Sequence, residues 1–165
     1  MHTRVLEPRN GPTLLVRPLR NGDVATVLAV FGRLGEQSRR TRFNGPKPCL
    51  SSGELEQLSA VDRDHHALVG YVEGDPQPVA VAQLARTGPG SAEIAFAVAD
   101  AYQQRGIGSA LAAELLTDAR AAGITQITAL ATSDNPAALA LLRRTTNVTD
   151  VRYEGPELSI HAAIA

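Results

Sequence analysis

Apolar positions recur along this chain with two different periods, and each change of period marks off an element. Residues Thr13 to Leu19 alternate loosely and carry enough β-branching for a first strand. Asp23 stands where a helix N-cap belongs, ahead of Val24, Val27, Leu28 and Phe31 at helical spacing. From Gly35 to Cys49 the pattern breaks into polar, basic, Pro- and Gly-punctuated sequence (Arg39, Arg40, Arg42, Pro46, Pro48), which predicts a loop with room for a helical turn. Ser51 or Ser52 can cap a short helix carrying Leu55 and Leu58, and Glu54 makes a capping box from Ser51 available.

His66 to Val72 and Pro78 to Ala85 read as two strands, joined antiparallel through Glu73-Gly74-Asp75-Pro76. A second turn, Thr87-Gly88-Pro89-Gly90, leads into a strand on which Ile94, Phe96 and Val98 face one way. Glu93, Ala95, Ala97 and Ala99 face the other. A Gly-containing loop follows, then a helix with Ile107, Ala110, Leu111, Leu115 and Ala119 on one stripe, ending at Gly123. Ile124 to Ala131 is apolar on both faces, as a strand covered from both sides would be. Asp134 or Asn135 caps the last helix, with Pro136 at its first position and Leu139 and Leu142 on its buried side. Val148 to Tyr153 and Leu158 to Ile164 form a final pair of strands. Antiparallel strands, one βαβ unit and a closing hairpin predict an α/β fold with a mixed sheet.

Composition narrows the function classes. The 165 residues suit one domain, 1–165, and the 44% hydrophobic and 20% charged content is that of an ordinary globular chain. A net charge of −1 supplies no general field for nucleic acid or an anionic membrane. Cys49 is the only cysteine, so an internal disulfide and a cysteine-based metal site are excluded, and a cytoplasmic location is the default expectation. Met1 to Arg9 is charged and lacks the apolar run of a signal peptide, and no stretch is long and apolar enough to cross a bilayer.

The stretch with the most chemistry is Gln103-Gln104-Arg105-Gly106-Ile107-Gly108-Ser109 between a strand and a helix. Backbone amides at a helix N-terminus, two of them on glycines, suit a phosphate or diphosphate. No Walker lysine follows, and no acidic residue ends a next parallel strand, so a nucleotide fold of another kind is disfavoured. Arg105 adjoins the two glycines and reads as a phosphate partner or as a surface charge. His65 and His66 are neighbours on a strand and point to opposite faces, which argues against a shared metal. Arg39, Arg40 and Arg42 read as a solvated basic loop that could also select an acidic substrate or touch a ligand phosphate, and Cys49 has no histidine near it to activate it.

On Gln103, Gly106 and Gly108 the loop resembles the acetyl-CoA-binding motif of the GNAT acyltransferases, and the element order from Thr13 onward is similar to theirs. Ala92-Glu93-Ile94-Ala95, Val98-Ala99-Asp100, Arg42-Phe43 and Asp62 to Leu68 look like the GNAT domain of bacterial protein lysine acetyltransferases. Those enzymes often carry an attached cyclic-nucleotide-binding or acyl-CoA-synthetase-like module, and none is expected within these residues. The resemblance implies a single GNAT-like α/β (α+β) domain. Its sheet would be mixed, mostly antiparallel and six- to seven-stranded, with helices on both faces and a central βαβ acetyl-CoA-binding unit. It implies that the amides of Gln104, Arg105, Gly106, Ile107, Gly108 and Ser109 hold the coenzyme diphosphate. It also implies that the main chain of Ala97, Val98 and Ala99 pairs with the pantetheine arm and that Asn135 approaches it. The strand at Ile124–Ala131 is expected to splay from the Glu93–Ala99 strand, with the acyl group in the gap. Leu142 stands where many relatives have a tyrosine acid, and Thr146-Asn147 replace the usual Gly-Phe.

The glutamate at the position of Glu93 is that group's proposed general base. A lysine-type amine has a pKa of ~10.4, so about one in 10³ is a free nucleophile at pH 7. A carboxylate near the acyl carbon can take that proton directly or through water, and the small Ala95 and Ala97 on its strand face leave room for an amine. Val98's amide would bond the thioester oxygen as charge develops. The expectation is an acetyl-CoA-dependent N-acetyltransferase acting by direct transfer, with acetyl-CoA as co-substrate, no metal, and a protein lysine as acceptor. The alternatives are a small-molecule amine acetyltransferase and a catalytically weak acyl-CoA-binding or sensing module. No nucleic-acid or membrane partner is expected, and a homodimer is left open.

Overall fold

Two hydrophobic clusters lie on opposite faces of one sheet, and the sequence's alternating strands supply both. The computed structural model describes residues 2–43 and 45–164. Its strands are β1 (Arg4–Leu6), β2 (Leu14–Pro18), β3 (His65–Val72), β4 (Ala80–Gly88), β5 (Ser91–Val98), β6 (Gln126–Thr132), β7 (Asn147–Glu154) and β8 (Glu157–Ala163). They pair in the order β1-β2-β3-β4-β5-β6-β8-β7, antiparallel throughout except for the parallel β5–β6 contact. The helices are α1 (Val24–Gly32), α2 (Glu36–Phe43), α3 (Ser52–Leu58), α4 (Ile107–Ala121) and α5 (Pro136–Thr145). α4 is the crossover between the two parallel strands.

One cluster holds Leu14, Leu68, Ile94, Leu111, Leu115, Leu142 and Ile160 under α4 and α5; the other holds Leu19, Val27, Val30, Val69 and Val81, with Leu55 and Leu58, under α1 and α3. The caps follow the expected chemistry. Asp23 accepts from the Thr26 amide at 3.1 Å, Ser51 from Glu54 at 3.1 Å and Asn135 from Ala138 at 3.4 Å. Of the capping box, only the Ser51 half forms, because the Glu54 carboxylate turns to Lys47 at 3.1 Å. Gly123, at φ 81°, ends α4 in the left-handed conformation.

Three expectations are corrected. Residues 36–43 form a full helix, α2, rather than a loop. It carries no apolar stripe and is held by cation–π contacts, with Arg39 4.0 Å from the Phe31 ring and Arg42 4.9 Å from Phe43. The sheet has eight strands rather than six or seven, because the short β1 pairs with β2. β6 is not apolar on both faces in use: Ile127, Ala129 and Ala131 are buried, while Leu130 is 50% exposed.

Candidate active site

The loop between β5 and α4, the candidate phosphate cradle, is shaped by its backbone conformation. After β5, a single 3-10 turn (Asp100–Tyr102) redirects the chain into Gln103. Gln104 has φ 60° and Gly106 has φ 76°, two left-handed residues separated by one. Such an alternation turns successive amides to one side, and a glutamine held at positive φ marks backbone shaped for a task. The amides of residues 104–109 reach no acceptor among the described residues. They crown the N-terminus of α4, where the helix dipole favours an anion. Gly108 contributes in a different way. A Cβ there would stand 3.2 Å from Leu141 Cδ1, so α5 packs directly on the first turn of α4.

Gln103 supports the cradle from below. Its amide nitrogen donates to the Val98 carbonyl and to Ser38 Oγ, both at 3.0 Å, and Ser38 donates to Asp100 at 2.6 Å. The side chain therefore ties the loop to the end of β5 and to α2. Arg105 is exposed and lies 5.6 Å from the Tyr102 ring.

Beside the cradle the sheet opens. The last β5–β6 rung is Ile94 with Ala129, while β4 stays paired to β5 as far as Val98. From residue 95 onward β5 has a neighbour on one edge only. The Ala99 amide donates to Val79 at 2.7 Å, which fixes the alternation along the strand. Ala97 and Ala99 turn their main chain to β4, and Phe96 and Val98 turn theirs to the gap. The expected trio of Ala97, Val98 and Ala99 is thereby corrected: Ala99 is committed to the sheet, Ala97 alternates toward β4, and Phe96 joins Val98. Opposite them, Thr132 Oγ1 at the end of β6 is buried and has no partner among the described residues. Neither Phe96 nor Thr132 carried a motif, and only the point where pairing stops identifies them.

Glu93 sits one rung before the opening, between Ala85 of β4 and Thr128 of β6. Its side chain is exposed and shares a face with Ala95 and Ala97. Gln83, opposite Ala95, accepts from Arg42 Nη2 at 2.6 Å and donates to the Leu58 carbonyl at 2.7 Å. Burial pushes the Arg42 guanidinium below its ordinary value, and the nearby charge of Glu93 pulls the other way. Arg42 thus belongs to the wall beside Glu93 rather than to a solvated loop. Arg39 is likewise spoken for, donating to the carbonyls of Pro48 and Phe31 at 3.0 and 3.2 Å.

Beyond Glu93 the same face continues over β6 and β8 as an open shelf. Thr128 meets His161 Nδ1 at 3.3 Å, and Ser159 meets His161 Nε2 at 3.1 Å. Asn135 caps α5 just past Thr132, its Oδ1 committed to the Ala138 amide. Leu142, where the resemblance implies a tyrosine, is 1% exposed and sealed in the core. His65 and His66 separate as expected, onto Asp62 at 2.8 Å and Asp118 at 2.9 Å, and Cys49 is exposed. Two surface hollows, at Arg143–Val151 and at Asn21–Ala60, lie away from Glu93. No helix among the described residues is long and apolar enough to cross a membrane.

Asp75 braces the cradle from the β3–β4 turn. It accepts from Arg33 at 2.9 Å and from the Tyr102 hydroxyl at 2.8 Å, linking α1 to the turn that precedes Gln103. The Arg33 guanidinium, with the Gln77 amide and Tyr102, holds its carboxyl down to about 2, against an ordinary 3.8. A carboxyl lowered on folding stabilises the fold above its unfolded value, and that contribution is lost as pH falls through the folded one. Asp75→Asn is therefore expected to flatten the fall in thermal midpoint between about pH 4 and pH 2. Parallel melts of variant and parent with equal slopes across that window would contradict the assignment.

Comparison with known proteins agrees with this geometry. The Acetyltransferase (GNAT) family profile matches residues 36–146. Acetyltransferase Pat of Mycolicibacterium smegmatis is 34% identical over 143 residues, which is 84% of this chain and 42% of that protein. The chain thus spans less than half the length of that relative. An acetyltransferase of Pseudomonas aeruginosa is 30% identical over 132 residues, covering 78% of this chain and 71% of its own. The solved GNAT domain of S. lividans PAT superposes with a TM-score of 0.86 at 24% identity, covering 98% of this chain and 97% of that one. The chain belongs to the GNAT family of acetyltransferases.

Proposed function

We propose that this N-acetyltransferase transfers an acetyl group from acetyl-CoA to lysine side chains of proteins, with Glu93 as general base. The family uses acetyl-CoA as co-substrate, and the residues present fit it. Free amides at residues 104–109 suit a diphosphate, and the main-chain amides of Phe96 and Val98, which face the gap, suit an amide-bearing arm. The orphaned Thr132 hydroxyl offers a further polar contact in the gap. When bound, acetyl-CoA supplies an acyl carbon activated by its thioester.

The chain's own residues do the rest. Ala95 and Ala97 leave the approach to the gap uncrowded, and Glu93, one rung away, would take the proton that a lysine ammonium must lose before its amine attacks. Val98's amide is the donor available on the gap side for developing negative charge. A thiol of pKa ~8.5 leaves tolerably as thiolate, so the buried leucine at position 142 does not bar the reaction.

The observation that carries the choice of acceptor is the bare shelf beside Glu93. Small-molecule sites are concave and enclose most of their ligand. On this face Leu130, two residues past the Thr128 that pairs with Glu93, is 50% exposed. A flat, accessible approach suits a side chain presented by a macromolecule. Coenzyme A thiol release with a panel of lysine-rich proteins, polyamines and amino acids tests the reading. Turnover concentrated on the proteins supports it. Turnover only on free amines supports a small-molecule enzyme, and binding without turnover on any of them a sensing module.

A further inference from the structure

Residues 1–35 lie outside the stretch matched by the family, yet part of this segment reaches the phosphate cradle. Arg4 of β1 bridges to two carboxylates on α4, Glu114 at 2.8 Å and Asp118 at 3.0 Å. These bonds tie the edge strand β1 to α4, ahead of the residues that reach the helix N-terminus. There the chain meets the loop at van der Waals distance. A Cβ on Gly11 would overlap the Arg105 carbonyl oxygen, so only glycine allows this approach. A Cβ on Gly106 would stand 3.6 Å from Pro8 Cβ and 3.9 Å from the Arg9 amide nitrogen. Residues 7–11 thus form a strap along one side of the cradle.

The strap brings a cation with it. Arg9 is exposed and forms no ion pair among the described residues. Two more guanidiniums stand at the same helix end without a carboxylate partner among those residues. One is Arg105, and the other is Arg144, which reaches from α5 to donate to Ser109 Oγ at 3.1 Å. The strap's own carboxylate, Glu7, is turned to the Thr13 hydroxyl at 3.1 and 3.2 Å. Cations gathered around a positive helix terminus repel one another, and an anion among them relieves that cost.

We propose that the strap is part of the acetyl-CoA site and that Arg9 binds a phosphate of the coenzyme's 3′-phosphorylated ADP portion. Arginine's planar fork suits bidentate capture of a phosphate, and the strap sets its backbone beside the loop whose amides face the diphosphate. The inference rests on the use of acetyl-CoA and is independent of the acceptor and of Glu93.

Calorimetric titration of the parent, Arg9→Gln and Arg9→Lys with CoA, 3′-dephospho-CoA and pantetheine tests it without recourse to activity. Arg9→Gln is expected to weaken CoA about tenfold, as loss of one charge-assisted contact would, with Arg9→Lys recovering part of the loss and melting curves unchanged. A loss that disappears with 3′-dephospho-CoA assigns Arg9 to the 3′-phosphate. A loss that persists there and disappears with pantetheine assigns it to the diphosphate. Equal CoA affinity in parent and Arg9→Gln overturns the proposal, and so does an equal loss with all three ligands. A parent that binds none of them overturns the cofactor reading itself.

Discussion

Glu93→Gln is expected to lower kcat by roughly 10²- to 10³-fold while leaving the dissociation constant for acetyl-CoA unchanged, the range for loss of a positioned base. The two halves separate because the site separates them. Glu93 lies on the face of β5 shared with Ala95 and Ala97, whereas the free amides of residues 104–109 lie past the end of the strand. Glutamine keeps the size and polarity of the side chain and removes only its capacity to take a proton. Because the side chain is exposed, little packing changes, and the melting temperature should hold. Raising the pH should recover part of the loss, since a larger share of the amine then arrives already neutral. A variant with parental turnover at neutral pH would remove Glu93 from the mechanism.

Gly106→Val is expected to have the opposite signature, with acetyl-CoA binding weakened by roughly 10²-fold or more. At φ 76° a β-branched side chain is a steric outlier costing about 1–2 kcal/mol. The loop relieves that strain by turning its amides away from one another. Losing two charge-assisted hydrogen bonds at about 1.5–3 kcal/mol each gives an effect of that size. Gly123→Ala supplies the control: it bears a similar backbone penalty at φ 81° but lies at the far end of α4. It should lose stability and keep its affinity. Comparable binding losses in both variants would mean that affinity tracks general stability rather than the cradle.

Gly106 is within reach of sequence reasoning because its signal is local, whereas the role of Glu93 comes only from the family resemblance. Gly106 and Gly108 lie in a short strand-to-helix loop, and Asp23, Ser51 and Asn135 precede periodic segments in the manner of caps. Other parts of the site depend on contacts between distant segments. α2 escaped notice because hydrophobic periodicity is blind to a helix held by arginines over aromatic rings and by Arg42 on Gln83. β1 is three residues long, shorter than any alternation can register, and pairs only because β2 is there. The gap that exposes Phe96 and Val98 begins where β5–β6 pairing stops after Ile94 and Ala129, and β6 remains strand as far as Thr132. The direction of the Ala97 and Ala99 main chain is hidden for the same reason: which edge a residue faces follows from its pairing. Gly11 had no evident purpose in the sequence, since the Arg105 carbonyl it accommodates is far along the chain.

The central claim is that this site acetylates lysine side chains with Glu93 as the base. Its most direct test is mass spectrometry of a lysine-rich protein incubated with acetyl-CoA and either the parent or Glu93→Gln. The account predicts acetyl groups on lysine side chains in an amount matching the coenzyme A released, nearly absent with the variant. Coenzyme A release without lysine modification, or equal modification by parent, variant and an enzyme-free control, would contradict it.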